Sequence, residues 1–362
     1  MLNKQQSIDP PIKVKIIGVG GGGCNAIAEM ALQHQSGIEY LAVNTDTQAL
    51  RVMDKIPTFA IGPQVTGGLG SGGNAALGRK AIRESQDQVA ELLSGVDMVF
   101  ITAGMGGGTG TGATPVIADI AKKKGILSVG IVTTPFSFEG NQRKTIADQG
   151  LISLGQKVDT LITIDNNRLI SPFSNKISLE EAFQLSDSVL GDAVSGIWNL
   201  INETGFINVD FADVCSIINN GGAGFISIGH GSGNNGVQDA VKDALNTPLF
   251  DNPIEGSSGI IMNIRGGIDM SLDKINDAAN LVKNLGGQET QLIFGVVKDR
   301  GMKNKIDVTL LATAIGKEEQ SPKTNLPMKT VGETSKLSLA DLSGDSLEMG
   351  NSRVLTGLPS SN

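Results

Sequence analysis

The sequence predicts an α/β protein: a doubly wound, mostly parallel sheet domain joined by a long central helix to a smaller α+β domain. Three observations carry that expectation. Short, β-branched apolar runs alternate with helical stretches through the first half; one capped apolar stripe occupies the middle; strands and helices of a different spacing follow. A chain of 362 residues is long enough for two domains at roughly 100–200 residues each.

Strands are expected at Ile12–Ile17, Ile38–Val43, Val96–Thr102, Ile126–Thr133 and Val158–Ile164, with helices at Gly78–Leu93 and Ala113–Lys124. The strands are nearly all apolar, the pattern of strands covered on both faces, and their alternation with helices argues for parallel pairing. Ser178 and Glu181 form a capping-box sequence, and Ala182, Leu185, Val189, Ala193, Ile197 and Ile201 then fall on one helix face. The central helix is therefore placed at 178–203. Beyond it, strands are expected at Phe225–Ile228, Gly259–Ile264, Gln291–Val297 and Ile306–Ala312, and helices at Val237–Leu245 and Ser271–Leu285. Residues 317–362 carry no aromatic side chain and are rich in Ser, Thr, Lys and Gly, so they read as a disordered tail; residues 1–11 read as a flexible N-terminal tail.

Composition narrows the function. A net charge of −8 argues against a nucleic-acid partner. No apolar run reaches the ~18 residues of a membrane span, and no signal core opens the chain, so neither membrane insertion nor secretion is expected. Cys24 and Cys215 cannot build a disulfide framework, and a cytoplasmic setting is expected. His34 and His230 sit in no catalytic motif.

Glycine is the outlier: 48 residues, nearly twice the ~7% average share, and the excess is concentrated in loops. Gly18-Val-Gly20-Gly-Gly-Gly23 closes the first strand and fits G-x-G-x-x-G, with Asp46 near the end of the second. That pattern alone leaves a nicotinamide dehydrogenase and a phosphate-binding protein equally open. The run from Gly104 to Gly112 favours the latter, because a dehydrogenase needs one pyrophosphate loop and here there are two. No Lys follows the glycines, which excludes a Walker loop.

With GVGGGGCNA, AVNTD, GLGSGGN, AGMGGGTGTGA, PFSFEG and NVDFADV in this order, residues 12–316 resemble the tubulin/FtsZ family in its bacterial-type branch. The resemblance implies a GTP-binding domain at 12–177, the central helix at 178–203, and a C-terminal α+β domain at 204–316 that opens with the catalytic loop. It implies that Gly21, Gly22, Gly23, Cys24 and Asn25 line a first loop. Gly108, Thr109 and Gly110 would cradle the β- and γ-phosphates, and Glu139 and Arg143 would contact ribose and phosphate. Asn166 and Asp187 would recognise guanine, with Phe183 stacked on it. A carboxylate suits guanine, whose N1–H and 2-amino group it can accept from, and Phe183 and Asp187 are four residues apart on one helix face. Taken alone, Phe183 reads as core packing. Cys24 replaces a usual glycine; a helix N-terminus depresses a thiol pKa, but a buried inert thiol is the favoured reading.

GTP hydrolysis needs a positioned water and charge stabilisation, with Mg²⁺ as the expected companion of GTP or GDP. The candidates are Asn208, Asp210 and Asp213, on a loop anchored by Val209, Phe211 and Ala212; without the resemblance this would read as a solvated acidic loop. A helix of ~26 residues spans ~39 Å, so these acids cannot reach their own chain's nucleotide. They could reach a neighbour's, and heterologous stacking of that kind gives an open filament. The resemblance implies a self-assembling, assembly-activated GTPase of the division ring at midcell. Membrane-anchoring and division-regulating proteins would bind through the C-terminal tail, although Arg353–Asn362 does not match the family's usual ending and Leu337–Met349 is the substitute candidate. Alternatives are a tubulin-family regulator of cell shape and a non-polymerising GTP-binding module.

Overall fold

The structure is a computed structural model and describes residues 12–32, 37–171, 177–202, 205–247, 254–267 and 270–314. Both expected tails, with Leu337–Met349, and His34 lie outside the described residues.

The first half runs β1 (Val14–Val19), α1 (Gly20–Leu32), β2 (Ile38–Asn44), α2 (Thr47–Arg51), β3 (Thr58–Ala60), α3 (Pro63–Thr66), α4 (Ala75–Glu84), α5 (Gln86–Leu92) and β4 (Met98–Gly104). It continues with α6 (Thr109–Lys123), β5 (Leu127–Thr134), α7 (Asn141–Gly155), β6 (Thr160–Asp165) and α8 (Asn166–Ile170). The central helix is α9 (Leu179–Asn202). After it come α10 (Phe211–Ile218), β7 (Gly222–Ser232), α11 (Gly236–Leu245), β8 (Gly259–Gly266), α12 (Leu272–Gly286), β9 (Gln291–Lys298) and β10 (Lys305–Thr313).

The strands form one sheet in the order β3-β2-β1-β4-β5-β6-β7-β10-β8-β9. Pairings from β3 through β7 are parallel, β10 runs antiparallel to both β7 and β8, and β8 is parallel to β9. The expected parallel sheet and smaller α+β part are therefore present; within the sheet they join through three residue pairs between β6 and β7, and one hydrophobic cluster runs beneath both. Alternate strand residues feed opposite faces: Ile16 and Phe100 pack under α1 and α9, while Ile17 and Ile101 pack under α4, α5 and α6. Burial on both faces explains why these strands are continuous apolar runs. A third cluster, centred on Phe225, Met262 and Leu310, fills the second half.

Four elements differ from the expected ones, for physical reasons. The helix expected at Gly78–Leu93 breaks at Ser85, whose Oγ accepts the Gly62 N–H at 3.1 Å. Helix α6 begins at Thr109 rather than Ala113, inside what reads as a loop. Its Gly112 lies so close to α4 that an added Cβ would sit 2.1 Å from Ala75 O, so the glycine serves helix packing. β7 is 11 residues long rather than four, because Gly229 and Gly231 give α11 room to lie against the strand. Finally, α9 is buried well beyond one stripe: from Leu190 to Trp198 only Asp192 is exposed, because other elements cover several of its sides.

Candidate functional site

Strands β1 and β4 are neighbours, yet the chain leaves them toward opposite sides of the sheet. That makes the carboxyl ends of β1 and β4 a switch point, where an α/β sheet opens its ligand crevice. Here a cleft of about 270 Å³ is lined by Gly20–Gly22, the Gly104–Gly110 turn, Ser71, Glu139, Arg143, Asn166 and the first turns of α9. Its floor is backbone on backbone. Gly20 has φ +71°, and a Cβ there would lie 2.9 Å from Gly110 N; a Cβ on Gly108 would lie 2.3 Å from Ser71 Oγ. Such loops expose peptide N–H groups and the amino ends of α1 and α6, the chemistry that receives phosphate.

The site brings together most of the residues picked from sequence. Gly21, Gly22, Gly108, Thr109 and Gly110 line the floor. Glu139 accepts the Phe136 N–H at 2.9 Å and, from just before α7, forms an ion pair with Arg143 in the first turn of that helix. Asn166 is buried, and its Oδ1 accepts from Ser186 Oγ at 2.9 Å, which leaves its amide group to donate. Phe183 meets Phe136 and Phe138 edge-on at 5.4 and 6.2 Å, and is 40% exposed beside the cleft. Asp187 lies next to it, bonded to the Asn25 side chain; burial, and then the charge of Glu29, push its carboxyl up to about 7.

Of the five first-loop residues, Gly21 and Gly22 line the cleft, whereas Gly23, Cys24 and Asn25 do not, which departs from the expectation. Gly23 turns toward β4, where a Cβ would lie 2.2 Å from Thr102 O. Cys24 is 2% exposed, with its sulfur near Gly18 O and Val43 O, and burial drives the thiol up to about 12. Both lie on the sheet side of α1, so they are packing groups, and Cys24 is the inert thiol. Asp46 is likewise structural: its carboxylate caps α2 by accepting from Gln48 N and Ala49 N.

Sequence reasoning passed over Ser71, Ser186 and Phe138. The segment holding Ser71 was singled out only as a block; its signal was the density of glycines, since Gly67, Gly68, Gly70, Gly72 and Gly73 all have positive φ. Ser186 and Phe138 give no signal apart from their neighbours.

The second candidate cluster is elsewhere. Asp210 is the N-cap of α10, its Oδ1 accepting the Asp213 N–H at 2.7 Å, and Asn208 Oδ1 accepts the Gly205 N–H at 2.5 Å. Asp213 thus sits in the first turn of a helix, not on the loop, and Ala212 is exposed rather than an anchor; Val209 is the buried anchor, beside β9. The cluster follows the far end of α9, a helix of 24 residues about 36 Å long; from Asp187, the last cleft-lining residue, to Asn202 the axis runs about 23 Å. Asp97, which precedes β4, is among the charges acting on Cys215 together with Asp210, so the cluster lies at the edge of the sheet opposite the cleft.

The glycine loops at the switch point and the base-sized recess at the start of α9 define a nucleotide-binding protein of the doubly wound class. Residues 13–173 match the family model "Tubulin/FtsZ family, GTPase domain", and residues 222–316 match "FtsZ family, C-terminal domain". The chain is 43% identical over 310 residues to the cell division protein FtsZ of Pseudomonas aeruginosa, covering 85% of this chain and 79% of that one. Among solved structures, an empty FtsZ dimer of M. jannaschii superposes with TM-score 0.79 at 38% identity, covering 85% and 89% of the two chains. A GDP-bound CetZ1 monomer of Haloferax volcanii, 20% identical with TM-score 0.74 and 84% and 95% coverage, shares the fold. The chain belongs to the tubulin/FtsZ family, and it is a GTP-binding, GTP-hydrolysing homologue of the cell-division cytoskeleton.

Proposed function

We propose that this GTPase stacks head to tail into filaments at the midcell division site in the cytoplasm, and that each active site is completed by the next subunit. The observation that carries this reading is the separation of Asp210 and Asp213 from the cleft by the length of α9. In it, residues 12–177 hold GTP, 178–203 form the spine, and 204–316 present the acids, between tails at 1–11 and 317–362. Asp187 accepts from guanine N1–H and the 2-amino group, Asn166 donates to its O6, and Phe183 covers the ring. Glu139 and Arg143 hold the ribose and α-phosphate, and the backbone of Gly21, Gly22 and Gly108–Gly110 receives the phosphates. Asn208, Asp210 and Asp213 of the neighbour orient the attacking water, the Asp210 carboxylate keeping acceptor capacity beyond its cap bond.

Mg²⁺ fits as a companion of the nucleotide rather than a resident of the chain. Among the described residues no group of three His, Cys, Asp or Glu side chains could hold it, and the phosphate end of the cleft offers hydroxyls and N–H groups. Phosphate oxygens and water satisfy such a hard cation, which supplies charge neutralisation when bound. Membrane-anchoring and division-regulating partners are assigned to the tail; among the described residues no helix is long and apolar enough to cross a membrane. GTPase rate per molecule against protein concentration tests the reading. A rise above a threshold, lost in Asp213→Ala that still binds GTP, supports it; a rate independent of dilution contradicts it.

A further inference from the structure

A second cavity lies behind one wall of the nucleotide cleft. It holds about 490 Å³ at the carboxyl ends of β5 and β6, between α7 and α8, and is larger than the cleft itself. Thr134 and Pro135 line both spaces, so the chain from Pro135 to Gly140 is the partition between them. Glu139 and Arg143 line the cleft side. On the other side Ser137 donates to Asn167 Oδ1, through its N–H at 2.8 Å and its hydroxyl at 2.6 Å.

The lining of this cavity carries both signs of charge. Lys144 and Asp148 stand one turn apart on α7, a spacing at which opposite charges ordinarily pair. Among the described residues neither side chain makes a hydrogen bond or an ion pair, and both line the cavity. Arg168 on α8 brings a second cation, and Asp165 at the end of β6 a second carboxylate. Asp165 Oδ1 is occupied by the N–H and the side-chain amide of Asn167, each at 2.9 Å, while among the described residues Oδ2 accepts from nothing. Pro135 and Phe136 give the partition an apolar surface.

An ammonium and a guanidinium side by side suit a phosphate group. Two carboxylates repel that anion but accept from hydroxyls. One kind of small molecule answers both demands, with phosphate at one end, several hydroxyls at the other, and C–H groups between to lie against Phe136. We propose that this cavity binds a phosphorylated sugar, its phosphate held by Lys144 and Arg168 and its hydroxyls by Asp148 and Asp165. The bound sugar also acts on the nucleotide. It presses on the partition that carries Glu139, and on Asn167, whose neighbour Asn166 lines the cleft. The coupling is reciprocal: the sugar phosphate changes the affinity for GDP by the same factor by which GDP changes that for the sugar phosphate.

The binding does not depend on what fills the neighbouring cleft, whereas the coupling rests on its assignment to GTP; calorimetry separates the two. Nucleotide-stripped full-length protein is titrated with glucose 6-phosphate, ribose 5-phosphate and inorganic phosphate. The parent, Lys144→Ala and Asp148→Ala are compared; both positions are exposed, so neither change opens the core. The parent should hold at least one sugar phosphate about tenfold tighter than phosphate. Lys144→Ala should weaken all three ligands about tenfold, through loss of a charged hydrogen bond. Asp148→Ala should act with opposite signs, weakening the sugar phosphate, which loses an acceptor, and tightening phosphate, which loses a repelling charge. If neither sugar phosphate binds more tightly than phosphate, or if Asp148→Ala tightens them too, the sugar reading is overturned. An unchanged affinity in Lys144→Ala would put the ligand elsewhere and overturn the site. The titrations are then repeated in saturating GDP. A shifted affinity for the sugar phosphate supports the coupling, and an unshifted one overturns the coupling alone. Failure of GDP itself to bind would overturn the assignment of the cleft, and the coupling with it, while the titrations of stripped protein would stand.

Discussion

At the scale of single residues, Asp187, the proposed base-recognising carboxylate, sits in surroundings that resist its charge. Burial and Glu29 raise it to about 7, well above its ordinary 3.8. The folded, nucleotide-free protein therefore holds this proton more tightly than the unfolded chain. The resulting stability is complete below about pH 4 and is lost as the pH rises through 7. Guanine needs the anion, so binding must release the proton. Affinity for GDP should fall by up to about tenfold per unit below pH 7, and Glu29→Gln should move that dependence to lower pH. Titration calorimetry in two buffers of different ionisation enthalpy checks both; a flat affinity between pH 6 and 8 would contradict them. Cys24 makes the opposite point, since a thiol raised to about 12 is unreactive at neutral pH. A thiol reagent should therefore find no more than Cys215 in the native chain, and both cysteines only after unfolding. Chemistry of this kind was partly legible from sequence: the buried, inert thiol is the reading the sequence favours, but the helix face that buries it is a tertiary fact.

Among the elements, the glycines of α4 and α6 invert a common rule. Replacing a helix glycine by alanine ordinarily gains about 1 kcal/mol. At Gly112 the new Cβ would lie 2.1 Å from Ala75 O and 2.6 Å from Arg79 N, all backbone that cannot rotate away. Gly112→Ala should cost about 1–3 kcal/mol, seen as a lower midpoint in thermal unfolding. The cap of α10 permits a cleaner dissection. Asp210→Asn keeps an equally good N-cap and should leave stability within about 0.5 kcal/mol, whereas Asp210→Ala should lose about 1 kcal/mol. If the charge serves hydrolysis, both should reduce GTPase activity alike; full activity in Asp210→Asn would reduce Asp210 to a cap. Strands β1, β2, β4, β5 and β6 were legible to within two residues at every boundary, because burial on both faces writes itself as an unbroken apolar run, whereas the three-residue β3 was not expected. The start of α6 and the end of β7 were hidden, because a glycine that makes room for a neighbouring helix is indistinguishable, in one dimension, from a glycine that turns a loop.

For the whole molecule, α9 is the decisive distance. Its first turns line the cleft, and the acids follow its last. This separation could be read from the length of the capped apolar segment, and the proposed second subunit is argued from it; the direction in which Asp210 and Asp213 are held could not be read, because it depends on the pairing of Ile207 with Val296 in β9. On the proposed reading, a molecule with its nucleotide at one end and its water-orienting acids at the other hydrolyses GTP only by contact between copies. Mixing two impaired variants isolates that contact. Asp213→Ala keeps an intact cleft and lacks the acid; Thr109→Val keeps the acid and lacks the hydroxyl at the phosphates. Combined at constant total concentration, they should hydrolyse GTP faster than the sum of the two alone, because the cleft of one is completed by the carboxylate of the other. A rate equal to that sum would mean that each chain works only on its own nucleotide.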